Sequence, residues 1–206
     1  MIAIVDYGMG NLRSVERALQ HVGGDARIVT TAGELAMAEK IVLPGVAAFG
    51  DAMDQLKAQR LVEPVIRAVK RGTPYLGLCL GLQLLFDVSY EDGEHHGMGL
   101  LPGKVVRFEL DQRISGQSLR IPHMGWNQIQ QERSCPMLDG LAGGEYMYFA
   151  HSFHVVPLED DLTITTTDYG CNFTSAVWYR NIFATQFHPE KSQSAGLKIL
   201  ENFVRL

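Results

Sequence analysis

Residues Tyr75–Gln83 have the sequence YLGLCLGLQ, in which a short apolar run leads into Gly-x-Cys-x-Gly and a leucine-rich helical pattern follows. Small residues around Cys79 are typical of a nucleophile elbow, the tight strand-to-helix turn that exposes a reactive side chain. A thiol at a helix N-terminus is also favoured as thiolate by the helix dipole. Unpaired cysteines usually fill cores, but a core helix gains nothing from Gly77 and Gly81. The pattern therefore predicts that Cys79 is a nucleophile.

The composition suits one compact domain over residues 1–206, because 46% of the chain is hydrophobic and 20% is charged. A net charge of -5 gives no electrostatic case for binding nucleic acid. We find no apolar segment that would span a membrane and no basic start of a secretory signal. Cys79, Cys135 and Cys171 form no CxxC pair. We therefore expect reduced thiols in the cytoplasm, with the latter two cysteines in structural positions.

The first half alternates strand and helix patterns. We expect helices from Asn11 to Gly23, at 52–60, at 64–70 and after Cys79, and strands at 1–6, 27–29, 41–43 and 75–78. This alternation predicts an α/β fold with a doubly wound, mainly parallel sheet flanked by helices. In such a sheet the chemistry lies at the carboxyl ends of the strands.

The second half has a different character, with short β-prone runs separated by turns. They lie at 104–108, 127–130, 146–149, 162–167, 175–179 and 182–187, and Arg180-Asn181 is a suitable hairpin turn between the last two. These runs predict additional antiparallel strands. A closing helix is expected to carry Leu197, Leu200 and Val204 on its apolar face.

His188-Pro189-Glu190 offers a base and a carboxylate far from Cys79 in the sequence. Proline favours extended backbone at the residue before it, and side chains two apart on an extended segment point to the same side. A carboxylate on one imidazole nitrogen fixes the tautomer and leaves the other nitrogen for the thiol. The alternative is a surface strand end with two polar residues. Together with the elbow, the tripeptide favours catalysis.

Pro44-Gly45-Val46 follows the expected strand at 41–43 and would reach the same carboxyl edge as Cys79. The backbone N–H groups of Gly45 and Val46 are candidate oxyanion donors, with the N–H of Leu80 as the other donor. A simple turn is an equally good interpretation of this motif on its own.

Two further motifs are set aside. Gly8-Met9-Gly10 lacks the third glycine of a dinucleotide-binding fingerprint, because Arg13 stands in that place. Glu94-His95-His96 has the residue types of a metal site, but a solvated Gly-rich loop is the favoured interpretation.

His123-Met124-Gly125-Trp126-Asn127 is open to two interpretations. A bulky cluster of this kind suits either the core or a partner surface, where Trp and Tyr are enriched. Tyr146 and Tyr148 lie two residues apart on an expected strand and would extend such a surface.

The Cys79 elbow, Gln83 four residues later, and His188-Pro189-Glu190 together resemble the class I (triad) glutamine amidotransferase family over essentially the whole chain. Within that family, segments 6–12, 44–46, 123–127 and 188–192 resemble the glutaminase subunits of imidazole glycerol phosphate synthases of histidine biosynthesis. The resemblance implies a flavodoxin-like fold and no cofactor or metal.

The resemblance also implies roles for particular residues. Cys79 would attack the carboxamide of glutamine, His188 would act as general acid and base, and Glu190 would orient His188. The glutamine pocket would include Gln83, Ser152 and Phe153. Ammonia would pass to a (β/α)8-barrel cyclase subunit in a heterodimer, docked over the site through Asn11, Trp126, Tyr148 and Lys191.

Three alternatives remain open from the sequence. The first is the glutaminase subunit of another synthase, such as the pyridoxal phosphate one. The second is a free-standing cysteine hydrolase, and the third is a binding module with a vestigial site. Measuring glutamate release with each synthase partner distinguishes the first alternative from a subunit of imidazole glycerol phosphate synthase. High activity of the chain alone would favour the second.

Overall fold

The structure, a computed structural model, describes residues 1–109 and 119–206. In chain order the strands are β1 (Ile2–Val5), β2 (Ala26–Val29), β3 (Lys40–Gly45), β4 (Tyr75–Cys79), β5 (Phe86–Ser89), β6 (His95–His96), β7 (Leu101–Arg107), β8 (His123–Gln128), β9 (Gln130–Gln131), β10 (Tyr146–His151), β11 (Phe153–Pro157), β12 (Thr163–Asp168), β13 (Asn172–Tyr179) and β14 (Ile182–Thr185). The α-helices are α1 (Leu12–His21), α2 (Ala32–Ala36), α3 (Phe49–Ala58), α4 (Val62–Lys70), α5 (Leu80–Gln83) and α6 (Gln193–Arg205). Among the described residues, no helix is long and apolar enough to cross a lipid bilayer.

The centre of the fold is a parallel sheet in the order β2-β1-β3-β4-β14. Apart from the edge strand β2, its strands are almost entirely apolar and buried on both faces, as parallel strands covered by helices must be. Helices α1 and α6 pack on one face, and α2, α3 and α4 pack on the other. This strand order is that of flavodoxin-like sheets, so the predicted fold class is confirmed.

The second half extends this sheet with antiparallel pairs, as predicted. Strand β13 pairs with β14, β11 and β12, and β11 continues the sheet through β7 to β5 and β6. Strands β8 and β10 pair with each other as a separate antiparallel ribbon. Arg180, at the predicted hairpin turn between β13 and β14, has a positive φ of 54°.

Several local predictions were wrong. Helix α2 was not predicted, although Thr31 and Glu34 form a capping box at its start. The helix after Cys79 ends after one turn and gives way to β5. The sequence did not show this end, because Leu82, Leu84 and Leu85 are all buried. A run of apolar residues that is buried on every side fits either a helix or a strand.

Two smaller corrections concern packing. His95–His96 is not a loop but strand β6, paired with β5, and the ring of His95 packs against Gly50. The buried face of α6 centres on Ile199, Leu200 and Phe203. The predicted Leu197 and Val204 lie at the margins of that face and are only partly buried.

Candidate active site

Three adjacent strands place the candidate catalytic groups. Strands β3, β4 and β14 are parallel, with β4 in the middle, and Gly45 lies directly beside Cys79 in the register. The chain leaves β14 at the same edge and reaches His188 three residues later. Parallel strands bring their carboxyl ends to one edge of the sheet, which is why residues far apart in sequence meet here.

The elbow has the strained geometry of an exposed nucleophile. Cys79 has φ 54° and ψ -103°, which a residue with a Cβ rarely adopts. Gly77 and Gly81 are required for a different reason. A Cβ on Gly77 would lie 2.5 Å from the carbonyl oxygen of Gly81, and one on Gly81 would lie 1.8 Å from that of Leu43. The glycines therefore permit close backbone approach, while the cysteine itself carries the unusual φ.

His188 and Glu190 form a buried pair. The Nδ1 atom of His188 lies 2.8 Å from Oε1 of Glu190, and both side chains are almost fully buried. We predicted that a continuous extended segment would bring the two side chains together, and this was wrong. His188 is extended, but Pro189–Lys191 forms a turn of 3-10 helix that folds the carboxylate back onto the ring. Ser192 anchors this turn by donating from Oγ to the carbonyl of His188 at 2.6 Å.

The electrostatics of His188 favour its protonated form. Burial alone would lower the pKa of the imidazole, but hydrogen bonds and charge interactions with Cys79 and Glu190 outweigh burial and raise it to about 10. A base with this pKa is protonated at neutral pH when a thiolate is its partner. The arrangement therefore places a protonated imidazole, able to donate a proton, beside Cys79.

The thiol, the imidazole and the expected glutamine pocket share one open cavity of about 260 Å³. This volume lies just below the roughly 300–1,000 Å³ range of small-molecule sites, which suits an amino acid. Its lining brings together most of the predicted site residues, namely Gly45, Val46, Cys79, Leu80, Gln83, Ser152, Phe153, His188 and Lys191. The cavity is also lined by Glu91, so it presents side chains of both charges.

Buried tyrosines hold the backbone at the end of β3 and in α5, on the two sides of the thiol. Tyr7 donates from its hydroxyl to the carbonyl of Pro44 at 2.9 Å, and Tyr75 donates to the carbonyl of Gly81 at the same distance. Burial, and then the charge of Cys79, raise the pKa of Tyr7, so its hydroxyl remains a donor. Leu80 is the first residue of α5, where a backbone N–H has no partner within the helix.

Sequence reasoning missed three polar residues of the site. Gln186 is fully buried and donates from Nε2 to Sγ of Cys79 at 3.6 Å. Glu91 lines the cavity and accepts a hydrogen bond at 2.8 Å from the N–H of Phe49, at the start of α3. His151 is buried beside the pocket. Gln186 had a detectable sign in the sequence, because it is a lone amide at the end of an apolar strand; the other two had none.

A hydrogen-bonded chain of side chains supports the far side of the pocket. His151 bonds through Nδ1 to the carbonyl of Phe153 at 2.8 Å, and its Nε2 lies 3.1 Å from Nδ1 of His123. Asn127 reaches the other nitrogen of His123 at 3.3 Å. Burial lowers the pKa of His123 to about 4 and that of His151 to about 3. Both rings are therefore neutral at pH 7.

Residues 123–127 were open to two interpretations, core or partner surface. In the β8–β10 ribbon, some of them lie in the core and others are exposed. His123 points into the core, whereas Met124 and Trp126 are exposed, as the alternation of a strand requires. Tyr148 pairs with Trp126 across the ribbon, and their rings meet edge to face at 6.0 Å. The Nζ atom of Lys191 lies 5.6 Å from the centre of the Tyr148 ring.

The structure thus brings together three of the four predicted interface residues, Trp126, Tyr148 and Lys191. Asn11 is exposed at the start of α1, and its neighbour Gly10 approaches Gly45 of the cavity. Within residues 1–109 and 119–206, no three His, Cys, Asp or Glu side chains are grouped as a metal site.

Comparison with known proteins assigns the chain to a family. The sequence model of the family described as Glutamine amidotransferase class-I matches residues 3–206. The chain is 54% identical to "Imidazole glycerol phosphate synthase subunit HisH" of Syntrophotalea carbinolica over 98% of both chains. It is 49% identical to the protein of the same name in Aquifex aeolicus, over 98% of this chain and 95% of the relative.

A solved structure described as a glutamine amidotransferase has the same fold. It superposes on all of both chains with a TM-score of 0.75 at 18% identity. With a family match over nearly the whole chain and relatives near half identity, this chain belongs to the class-I glutamine amidotransferase family.

Proposed function

We propose that the chain is the glutaminase subunit of an imidazole glycerol phosphate synthase. It hydrolyses glutamine to glutamate and ammonia by Cys-His-Glu covalent catalysis and passes the ammonia to a cyclase subunit in histidine biosynthesis. The observation that carries the proposal is the shared cavity of Cys79, His188 and Gln83 in a chain 54% identical to such a subunit over 98% of its length.

In the first half of the reaction, Cys79 is the nucleophile. Its Sγ bonds to the side-chain carbonyl carbon of glutamine, and the carbonyl electrons move to oxygen. His188, protonated and held by Glu190, gives its proton to the nitrogen. The C–N bond then breaks, ammonia leaves, and a glutamyl thioester remains.

In the second half, His188 is the base. It takes a proton from water while the water oxygen bonds to the thioester carbon. The C–S bond breaks, its electron pair returns to Sγ, and glutamate is released. Glu190 favours one orientation of the ring through both steps, since its Oε1 holds Nδ1 at 2.8 Å.

Backbone donors stabilise the oxyanion of both steps in this proposal. Leu80 offers an N–H that has no partner within α5, directly after the nucleophile. Gly45 and Val46 line the same cavity from the neighbouring strand. Such donors act strongly in a site from which water is excluded.

Substrate recognition uses charge and backbone. Glutamine carries an ammonium and a carboxylate, and the oppositely charged side chains of Glu91 and Lys191 line the cavity. Ser152 and Phe153 supply polar backbone on the opposite wall. Gln83 shapes this wall by donating to the carbonyl of Phe153 at 3.0 Å.

The partner docks over the open cavity. We assign the contact to Trp126, Tyr148 and Lys191, which cluster on the outer face of the ribbon, and to Asn11 at the start of α1. Exposed aromatic side chains of this kind dominate binding energy at interfaces. A (β/α)8-barrel cyclase subunit seated there would receive ammonia directly. The three free cysteines support a cytoplasmic location.

The test is glutamate release from glutamine by the chain alone, with a cyclase subunit and its ribonucleotide ligand, and with the synthase subunit of a pyridoxal phosphate synthase. We expect stimulation by the cyclase only. High activity of the chain alone would instead indicate a free-standing hydrolase, and absence of stimulation by the cyclase would reject the proposal.

A further inference from the structure

Gln186 occupies a position that the mechanism above does not use. It directly follows β14, has no exposed surface, and bonds through its backbone N–H to the carbonyl of Ser175 at 2.8 Å. Its side chain lies beside the reacting atom, because Nε2 is 3.6 Å from Sγ of Cys79.

The orientation of this amide is fixed by a second amide. Gln83 donates from Nε2 to Oε1 of Gln186 at 3.2 Å and to the carbonyl of Phe153 at 3.0 Å. Both hydrogens of the Gln83 amide are thereby used. Since Oε1 of Gln186 is the acceptor for Gln83, its NH2 group is the end that faces the sulfur.

We propose that Gln186 is a catalytic hydrogen-bond donor that stabilises the Cys79 thiolate and aims it into the cavity. The inference rests on the proposed function of Cys79 as nucleophile. A donor to a charged acceptor favours the charged form, and a sulfur held from one side presents its remaining lone pairs in a fixed direction.

The donor acts at two stages, before the sulfur attacks glutamine and when the thioester is hydrolysed. Before attack it raises the share of thiol present as thiolate. When water hydrolyses the thioester, the C–S bond breaks and its electron pair passes to Sγ, while His188 takes the proton of the water. The amide of Gln186 donates a hydrogen bond to the negative charge that develops on sulfur. It also joins the nucleophile to the glutamine pocket through Gln83 and Phe153.

Other charged or titratable groups also face this region, so the test must isolate the amide. They are Tyr7 after β1, Glu91 after β5, His151 on β10, and His188 and Lys191 after β14. Gln186→Met alters none of these side chains and adds no charge, so it isolates the amide, whereas Gln186→Glu adds a carboxylate beside them.

The experiment measures alkylation of Cys79 by iodoacetamide as a function of pH, with peptide mapping to separate Cys79 from Cys135 and Cys171. Two variants remove the donor. Gln186→Met has no polar group, and Gln186→Glu keeps the shape but replaces the donor by a carboxylate. Thr185→Val is the matched control, because it removes a buried hydrogen bond of the neighbouring residue, from Oγ1 to the carbonyl of Phe187, that does not reach the sulfur.

We expect Gln186→Met to slow alkylation at pH 7 about tenfold and to move the midpoint of the pH curve up by about one unit. Gln186→Glu should move the midpoint further, and Thr185→Val should leave it in place. At high pH, where the thiol is ionised in every variant, the rates should converge. Circular dichroism confirms that each variant is folded.

A purely structural role would give a different order. Gln186→Met would then leave the midpoint in place, and only Gln186→Glu would move it, because its added carboxylate repels the thiolate whether or not the native amide donates. An unchanged midpoint in Gln186→Met overturns the inference. If Cys79→Ala retains glutaminase turnover with the cyclase subunit, the proposed function fails; if that variant is inactive while Gln186→Met keeps the native midpoint, only this inference fails.

Discussion

The cavity has two walls that are built in different ways. The elbow wall consists of Gly45, Cys79, Leu80 and His188, at the carboxyl ends of β3, β4 and β14. The hairpin wall is the β8–β10 ribbon with the start of β11, and it lines the cavity with Met124 and residues 150–153.

The difference between the walls is one of support. Strand β4 is paired on both sides within the large sheet, so the backbone around Cys79 is fixed by neighbours in register. Over the described residues, the ribbon pairs only with itself and exposes Met124, Trp126 and Tyr146. The nucleophile is thus carried by a strand that is paired on both sides, whereas the exposed aromatic side chains are carried by a ribbon that pairs only with itself.

The largest effect should come from the elbow wall. Cys79→Ala removes the nucleophile, and we expect glutaminase turnover with the cyclase subunit to fall by at least about 10³-fold. Unfolding by urea should be little changed, because the replaced side chain is small. Cys171→Ala is the control and should remain active. Retained turnover in Cys79→Ala would remove the elbow wall from the chemistry.

The next effect concerns the orientation of the base. Glu190→Gln keeps the size of the side chain but not its charge, and we expect kcat to fall by about 10²–10⁴-fold. The pKa of His188 should drop from about 10, since Glu190 is one of the groups that raise it. An NMR titration of the imidazole checks this. An unchanged titration with lowered kcat would show that Glu190 acts in another way.

The hairpin wall should instead govern assembly. Trp126→Ala removes an exposed aromatic ring that packs on Tyr148, and we expect the Kd for the cyclase subunit to rise by about 30-fold, as for a hot spot of about 2 kcal/mol. Titration calorimetry measures it. Met37→Ala, at a more exposed apolar residue after α2, should have no effect. Equal Kd values for the two variants would place the interface elsewhere.

The walls should also respond differently to pH. His123 and His151 have pKa values of about 4 and 3 when folded against 6.5 in the unfolded chain. The unfolded state therefore binds more protons, and the free energy of unfolding should fall as the pH drops from 6.5 to 4. His188 acts in the opposite direction. Its pKa is raised to about 10, so its contribution is full below pH 6.5 and is lost as the pH rises to 10.

Urea unfolding across pH separates these contributions. His123→Asn should reduce the loss of stability on the acid side and leave the alkaline side unchanged. An acid limb that is identical in the variant would show that the His123–His151 pair does not contribute.

The smallest effect should come from the support of the end of β3, beside the candidate oxyanion donors Gly45 and Val46. Tyr7→Phe removes the buried hydrogen bond to the carbonyl of Pro44, and we expect a loss of about 1–2 kcal/mol in the free energy of unfolding. Urea denaturation measures it. Stability equal to that of the native chain would mean that Pro44 is held by packing alone.

The sequence was most informative about the elbow wall. Cys79 and His188 carry their own motifs, and the rule that parallel strands end at one edge was enough to predict where such residues would meet. Gln186 was missed because its role depends on the amide of Gln83, a contact between β14 and α5 that no local pattern contains. The end of α5 was misplaced because Leu82, Leu84 and Leu85, apolar residues buried on all sides, have no period.

The hairpin wall was less predictable. Alternation along β8 separates His123 from Trp126, but the start of that strand could not be located from its residue types. The His123–His151 contact is a long-range pairing of two strands, so it is absent from either segment alone.

The most direct test of the account is to find where glutamine becomes covalently attached. The chain is mixed with the cyclase subunit and glutamine, quenched in acid during turnover, and mapped by mass spectrometry. The account predicts a glutamyl adduct confined to the peptide that contains Cys79 and absent from the Cys79→Ala variant. An adduct on another residue, or one that persists in the variant, would contradict it.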